Sequence, residues 1–282
     1  MSDFISSVQG VAFRNCFCCP CQNHVQQKKY GTKWERDESI LALYLYCQIP
    51  FAKTKANNPE VIHLAQIIGR TPGSVARKLG NFGAFDPLLQ SRGISGLIHV
   101  SHQDRAIWDE FHGSWERLVE IADSVLSELN SDSVKSPQVF KPNDIDDRQT
   151  ERPITRMQRL CQSFFRKTVL ASYDNTCCIC GLDIPRLLVA SHIIPWAVRE
   201  DCRTAPENGL SLCSLHDRAF DAGLIAVSES NSILVSHTLA RSRSKAVNDY
   251  LLCYAGRQLN MPRRFPPHSE NLNWHLKNIF QG

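Results

Sequence analysis

Two closely spaced pairs of metal-ligand residues constrain this chain more than any other feature. Cys177 and Cys180 stand in TCCICG, and Cys213 and His216 stand in LSLCSLHDRAF. A CxxC pair and a Cxx(C/H) pair brought together supply the four ligands of a structural zinc. Such an ion would tie the two ends of a segment that has little apolar core of its own. A set of reduced, buried thiols is the alternative. Cys178 is expected to point away from the ion. The chain holds 12 cysteines, and its N-terminus has no basic start followed by an apolar stretch. Metal ligation or buried thiols are therefore expected rather than disulfides, and a cytoplasmic location with them.

Between the two pairs the chain alternates in character. LLVASHIIPW (187–196) reads as a strand ending in a histidine and a proline. Ala197 to Glu207 is polar and without period. Asn208-Gly209 then turns the chain into LSLC, a second short strand, and SLHDRAFDAG reads as a helix closed by Gly223. The outline is strand, long loop, strand, helix. Asp217 and Asp221 are four apart, so they share a helix face and could approach one cation. Oxygen and nitrogen ligands of this kind suit Mg²⁺ or Mn²⁺. Asp221 could instead be a surface carboxylate in the last turn, mildly unfavourable to the helix dipole. Phe220 is expected to anchor the helix in the core. An imidazole such as His192 is neutral often enough near pH 7 to accept a proton. Taken alone, Asn-Gly is a turn signal.

SHIIPW, NGLSLC and LHDRAFDAG in this order resemble the HNH endonuclease family, whose core is the ββα-metal fold. The resemblance is strongest over about 177–225. The wider arrangement is similar to HNH proteins of the restriction-endonuclease kind, through WERDESILALYLYCQIPF, IGRTPGSVARKLGNF and RFPPH, and extends over 33–282. It implies that His192 is the general base and that Asn208 is the middle letter of the family name, its amide bridging backbone across the loop. The third letter stays open between His216 and Asp217. If His216 serves zinc, it cannot serve the catalytic ion. Ser191 departs from the pattern: many relatives carry an acidic residue or a histidine there as a metal ligand. This places more weight on Asp217, Asp221 and His216. The resemblance implies hydrolysis of DNA phosphodiester bonds with Mg²⁺ or Mn²⁺, 5′-phosphate and 3′-hydroxyl products, and a role in restricting foreign DNA. Two cuts on opposite strands would favour a homodimer.

The remaining sequence suggests how DNA is reached. With 282 residues and roughly 100–200 per domain, two domains are expected. Residues 1–32 form a leader in which Cys16, Cys18, Cys19, Cys21 and His24 could hold zinc or could be unstructured. Residues 33–129 have helical period, with Pro50 ending one helix and Pro59 and Pro72 starting others. VIHLAQIIGRTPGSVARKLGNF resembles a helix-turn-helix, with Ser74, Arg77, Lys78 and Asn81 on its exposed face. A plain helical hairpin is the alternative. Trp108, Phe111, Trp115 and Leu118 form a core stripe. Residues 130–152 are polar, contain two prolines and read as a linker. Residues 153–173 form a helix carrying Arg156, Arg159, Arg166 and Lys167 without an intervening acid, which favours phosphate contact. Arg218 could neutralise a neighbouring phosphate. LIAVSESNSILVS reads as a hairpin extending the sheet. Arg257, Arg263 and Arg264 could meet phosphates or decorate the surface.

Composition is consistent with this reading. Hydrophobic residues make up 43% and charged residues 21%, ordinary for a chain with real cores. No apolar run is long enough to span a bilayer. A net charge of +4 permits nucleic-acid binding without arguing for it. The expected class is therefore α+β: an N-terminal helical, helix-turn-helix-like domain, and a ββα-metal domain over 153–282 acting on double-stranded DNA. Two other readings stand beside it. One is a zinc-stabilised DNA-binding regulator without catalysis, and the other a nuclease acting on RNA.

Overall fold

The computed structural model describes residue 29 and residues 31–93, 101–131 and 156–282. The cysteines and His24 of the leader lie outside the described residues, as does the expected linker beyond Ser131. The first elements are α1 (Arg36–Gln48), α2 (Pro59–Ile67), α3 (Pro72–Gly83), α4 (Pro87–Ser91), α5 (His102–Phe111), α6 (Trp115–Ser131) and α7 (Arg156–Ser172). Then come β1 (Leu188–His192), β2 (Gly209–Cys213), α8 (Ser214–Asp221), β3 (Ile225–Val227), β4 (Ile233–Val235), α9 (His237–Ala240), α10 (Lys245–Tyr250) and α11 (Ser269–Asn278).

α1 is the axis of the helical region. Ile40, Leu41, Ala42 and Leu43 are consecutive and all buried, so this helix has almost no solvent face and must be surrounded. α3, α5, α6 and α7 pack around it. Local chemistry sets the next boundaries. Asn58 accepts a hydrogen bond from Glu60 N at 2.8 Å, and Pro59 opens α2. Thr71 Oγ1 accepts from Ser74 N at 3.2 Å, and Pro72 opens α3. Gly69, at φ +69°, makes the turn between them, which a side chain would strain.

Two hydrophobic cores share α7. Its Cys161 and Phe164 belong to the helical core, together with Phe265 from near the C-terminus. Its Phe165, Val169 and Leu170 belong to the core around β1, β2 and α8. The helical core therefore recruits residues from beyond the expected boundary at 130–152.

Two further contacts join the regions. Trp115 Nε1 donates to Glu207 Oε2 at 3.2 Å. Arg264 is fully buried, and its guanidinium donates to Tyr46 O at 2.6 Å, Cys47 O at 3.4 Å and Ile49 O at 2.6 Å. These are carbonyls left unpaired at the end of α1. Arg264 is thus an interior cap rather than a surface or phosphate-binding residue, while Arg263 pairs with Asp174 at 3.0 Å.

β1 and β2 are antiparallel, with Leu188 opposite Cys213 and His192 opposite Gly209. β3 and β4 form a separate two-stranded sheet, so the hairpin does not extend the first sheet. Gly223, at φ +68°, reverses the chain after α8 and carries β3 to α11 instead.

Candidate functional site

His192 ends β1 and is gripped on three sides. Its ring lies parallel on Phe165 of α7, with centroids 3.8 Å apart and planes at 9°. Trp196 meets it edge-on at 5.6 Å. Its Nε2 lies 3.0 Å from Arg203 O. A carbonyl oxygen can only accept, so Nε2 carries the hydrogen and Nδ1 carries the lone pair. Burial lowers the His192 pKa, and the Arg203 carbonyl opposes this in part. Gly209 makes the packing possible: a Cβ there would lie 2.3 Å from Val169 Cγ2 and 2.9 Å from Phe165 Cζ.

The loop that presents Arg203 is closed by Asn208, which is fully buried. Its Oδ1 accepts from Ile194 N at 2.9 Å, and its Nδ2 donates to Ile194 O at 3.0 Å and Cys202 O at 3.4 Å. Arg203 Nε donates to Trp196 O at 2.7 Å and braces the same loop. An amide offers a donor and an acceptor in one plane, the requirement for bridging two strands of backbone.

α8 packs on β1 and β2. Asp217 is half-buried and Asp221 more open. Burial raises both carboxylates above the ordinary range; the Ser191 hydroxyl lowers Asp217 and the charge of Asp221 raises it again. Ser191 Oγ is buried without a hydrogen-bond partner of good geometry. A buried hydroxyl beside the Asp217 carboxylate, with the charge of Asp221 close enough to be felt, suits a hard cation with these side chains as oxygen ligands. Among the described residues, His192, Asp217 and Asp221 do not form a group whose ligating atoms all lie within 4.8 Å of one another. Mg²⁺ commonly takes one or two carboxylates and completes its shell with water and substrate phosphate.

Cys177, Cys180, Cys213 and His216 do form such a group, all four ligand atoms lying within 4.8 Å of one another. His216 Nδ1 is 3.1 Å from Cys213 Sγ and 3.6 Å from Cys177 Sγ, and Cys180 Sγ is 3.9 Å from Cys213 Sγ. Tetrahedral zinc with Zn–S of about 2.3 Å has ligand–ligand edges of about 3.8 Å. His216 Nε2 donates to Tyr250 O at 3.1 Å, which leaves Nδ1 free of hydrogen and turned to the thiols, the orientation that a ligating histidine takes. The Cys213 thiol is pushed down by its hydrogen bond with Cys177 and by His216, while Cys177 is pushed up. One ligand of the set therefore ionises readily. Cys178 is buried in the adjoining core instead. His216 thus stands with the cysteines, and Asp217 is the neighbour that turns toward Ser191.

Residues 177–228 match the HNH endonuclease family. They form an HNH domain. The match ends before β4, and no curated protein matches the chain. The family generally consists of nucleases, which supports endonuclease chemistry on DNA at that level.

The basic residues expected to contact DNA lie on three helices, α3, α7 and α8. Arg77 on α3, Arg159 on α7 and Arg218 on α8 are exposed. Arg156 is exposed and pairs with Asp123 at 2.7 Å. Arg166 Nη2 donates to Leu188 O at 2.9 Å, and Lys167 is half-buried beside it. Lys78 is a correction. It is 5% exposed, pairs with buried Asp104 and lies 4.4 Å from the centre of the Trp34 ring. Asn81 Nδ2 donates to the same carboxylate at 3.1 Å. The face of α3 expected to read DNA is thus partly occupied by α5. Spacing puts Phe165 on the inward face of its helix but does not point to it, Tyr250 or the Arg203 carbonyl as parts of the site, because a ring stack or a backbone acceptor leaves no spacing signature. No helix among the described residues is long and apolar enough to cross a membrane.

Proposed function

We propose that this chain is a metal-dependent HNH endonuclease that hydrolyses double-stranded DNA, with restriction of foreign DNA as its setting. The observation that carries this reading is the fixed tautomer of His192. Nε2–H is committed to Arg203 O, so Nδ1 is a standing proton acceptor at the end of β1.

In this mechanism Nδ1 removes a proton from a water molecule as its oxygen attacks phosphorus. The bond from phosphorus to O3′ breaks, giving a 5′-phosphate and a 3′-hydroxyl. Phe165 and Trp196 hold the imidazole in plane, and Asn208 keeps the Arg203 carbonyl in reach. Asp217 and Asp221, with Ser191 beside them, would hold Mg²⁺ or Mn²⁺, which when bound supplies positive charge to the phosphorane and the departing oxygen. Cys177, Cys180, Cys213 and His216 would hold a structural zinc. Arg159, Arg166, Lys167 and Arg218 would neutralise neighbouring phosphates, and Arg77 would extend the contact from the helix-turn-helix-like pair. A homodimer would let two sites cut opposite strands.

The test is plasmid nicking by wild type and His192→Ala in Mg²⁺, Mn²⁺ and EDTA. We expect nicking by wild type in at least one of the two ions, none in EDTA, and a loss of about 100-fold or more in His192→Ala, the scale of general-base catalysis. A second reading, a DNA-binding regulator, draws on Ser191 in place of an acidic ligand and on the absence, among the described residues, of a three-residue ligand group around His192. Retarded DNA without nicking in any divalent ion would favour it. Duplex DNA, single-stranded DNA and RNA in the same assay separate the substrate classes.

A further inference from the structure

The acidic helix of the site is held from outside the segment that matches the family. α11 lies behind α8, and its His275 ring is parallel to Phe220, with centroids 3.7 Å apart and planes at 8°. His275 Nε2 donates to Phe220 O at 3.1 Å, so Nδ1 carries the lone pair. That nitrogen is buried with no partner. An unsatisfied buried acceptor costs free energy, and an apolar side chain would fill this place without that cost. The orphan is borne where the other nitrogen holds the last turn of α8.

The segment after α11 repeats the hold. Gln281 Nε2 donates to Ala222 O at 3.0 Å, and Gln281 N donates to Gly223 O at 2.9 Å. Gly223 admits this approach, since a Cβ there would lie 2.1 Å from Ile279 O. The carbonyls of Phe220, Ala222 and Gly223 at the end of α8 are thus all engaged by residues 275–281. Asp221 follows Phe220 directly, and Asp217 lies one turn earlier on the same helix.

We infer that His275 is a positioning residue that fixes the rotation of α8 and thereby the presentation of Asp217 and Asp221 to a divalent ion. This deepens the nuclease reading and rests on it. His275 lies beyond the segment that matches the family. It bonds the backbone one residue before Asp221 and not a carboxylate itself, so its removal should fall at the lower end of the loss of about 10- to 100-fold in metal affinity that follows loss of a direct partner of a ligand.

The experiment uses the full, zinc-replete chain. Mn²⁺ binding is measured by the electron paramagnetic resonance of free Mn²⁺ in a His192→Ala background that cannot turn over, and nicking is measured with His192 intact. His275→Phe keeps the ring stack and loses the donor; His275→Gln keeps a donor at similar reach and loses the stack. Urea midpoints identify the variants that are folded in the assay. We expect His275→Phe to raise the half-saturating Mn²⁺ concentration about tenfold or more, and His275→Gln to recover part of that loss. Nicking should be restored by added Mn²⁺. If wild type nicks and His192→Ala binds Mn²⁺ while folded His275→Phe in that background binds it equally well, this inference is overturned and the nuclease reading survives. If wild type does not nick and His192→Ala does not bind Mn²⁺, both fall.

Discussion

His192 and Lys78 illustrate what a single position gains from its neighbours. The place of His192 at the end of a strand was legible, and its role as a base is what the family resemblance implies. Its pKa was not legible, because that depends on Phe165, which lies 27 positions earlier and stacks at 3.8 Å. Burial lowers the pKa, and in the proposed mechanism the active form is the neutral ring. Cleavage should therefore decline with falling pH, with its half-point below the usual histidine value of about 6.5. A pH profile of kcat/KM at saturating Mn²⁺ checks this, and a half-point well above 7 contradicts it. The same depression has a sign for stability. The folded state binds fewer protons than the unfolded one, so this contribution is present above pH of about 6.5 and is lost as pH falls toward the folded pKa. Lys78 shows the opposite lesson. Helical spacing identified its helix, but its partner Asp104 comes from α5, and no local pattern announces such a pair.

At the scale of elements, the order β1, loop, β2, α8 was legible because each piece has its own local signal. Pro195 follows the first strand, Asn208-Gly209 opens the second, and Gly223 closes the helix. The separation of the second hairpin was not legible, since strand period says nothing of which edge a strand joins. The cysteine pairs were readable as four ligands. Their shared approach depends on Gly181, at φ +76°, and on the register that places Leu188 opposite Cys213. Mass spectrometry of purified protein should find one zinc per chain at this site, and Cys180→Ser should lose it. Chelation should lower the unfolding temperature of wild type and leave that of the variant unchanged. A wild-type protein without zinc, equally stable in chelator, would return these residues to the role of buried thiols.

For the whole molecule, the expected division at 130–152 captured a change of character in the chain and not a division of the interior. Length suggested two domains and helical period marked the first, yet neither could say that a C-terminal arginine closes an N-terminal helix. Arg264 donates to three carbonyls at the end of α1 and lies 4.5 Å from the centre of the Tyr46 ring. Arg264→Ala should destabilise the chain by about 3 kcal/mol, the scale of removing charged hydrogen bonds from buried carbonyls. Arg264→Lys should recover only part, because an ammonium cannot reproduce the planar fork. Urea unfolding of the three proteins checks both, and a change in Arg264→Ala under 1 kcal/mol contradicts the role as a cap.

Phe164 and Phe165 are consecutive residues of α7, and each is a member of a different core. A fragment trimmed to residues 177–228 would leave one face of the His192 imidazole bare and Gly209 facing water. The smallest piece able to cut should therefore begin upstream of Arg156, and a linker inserted within α7 would unseat the reacting imidazole before it separated the halves.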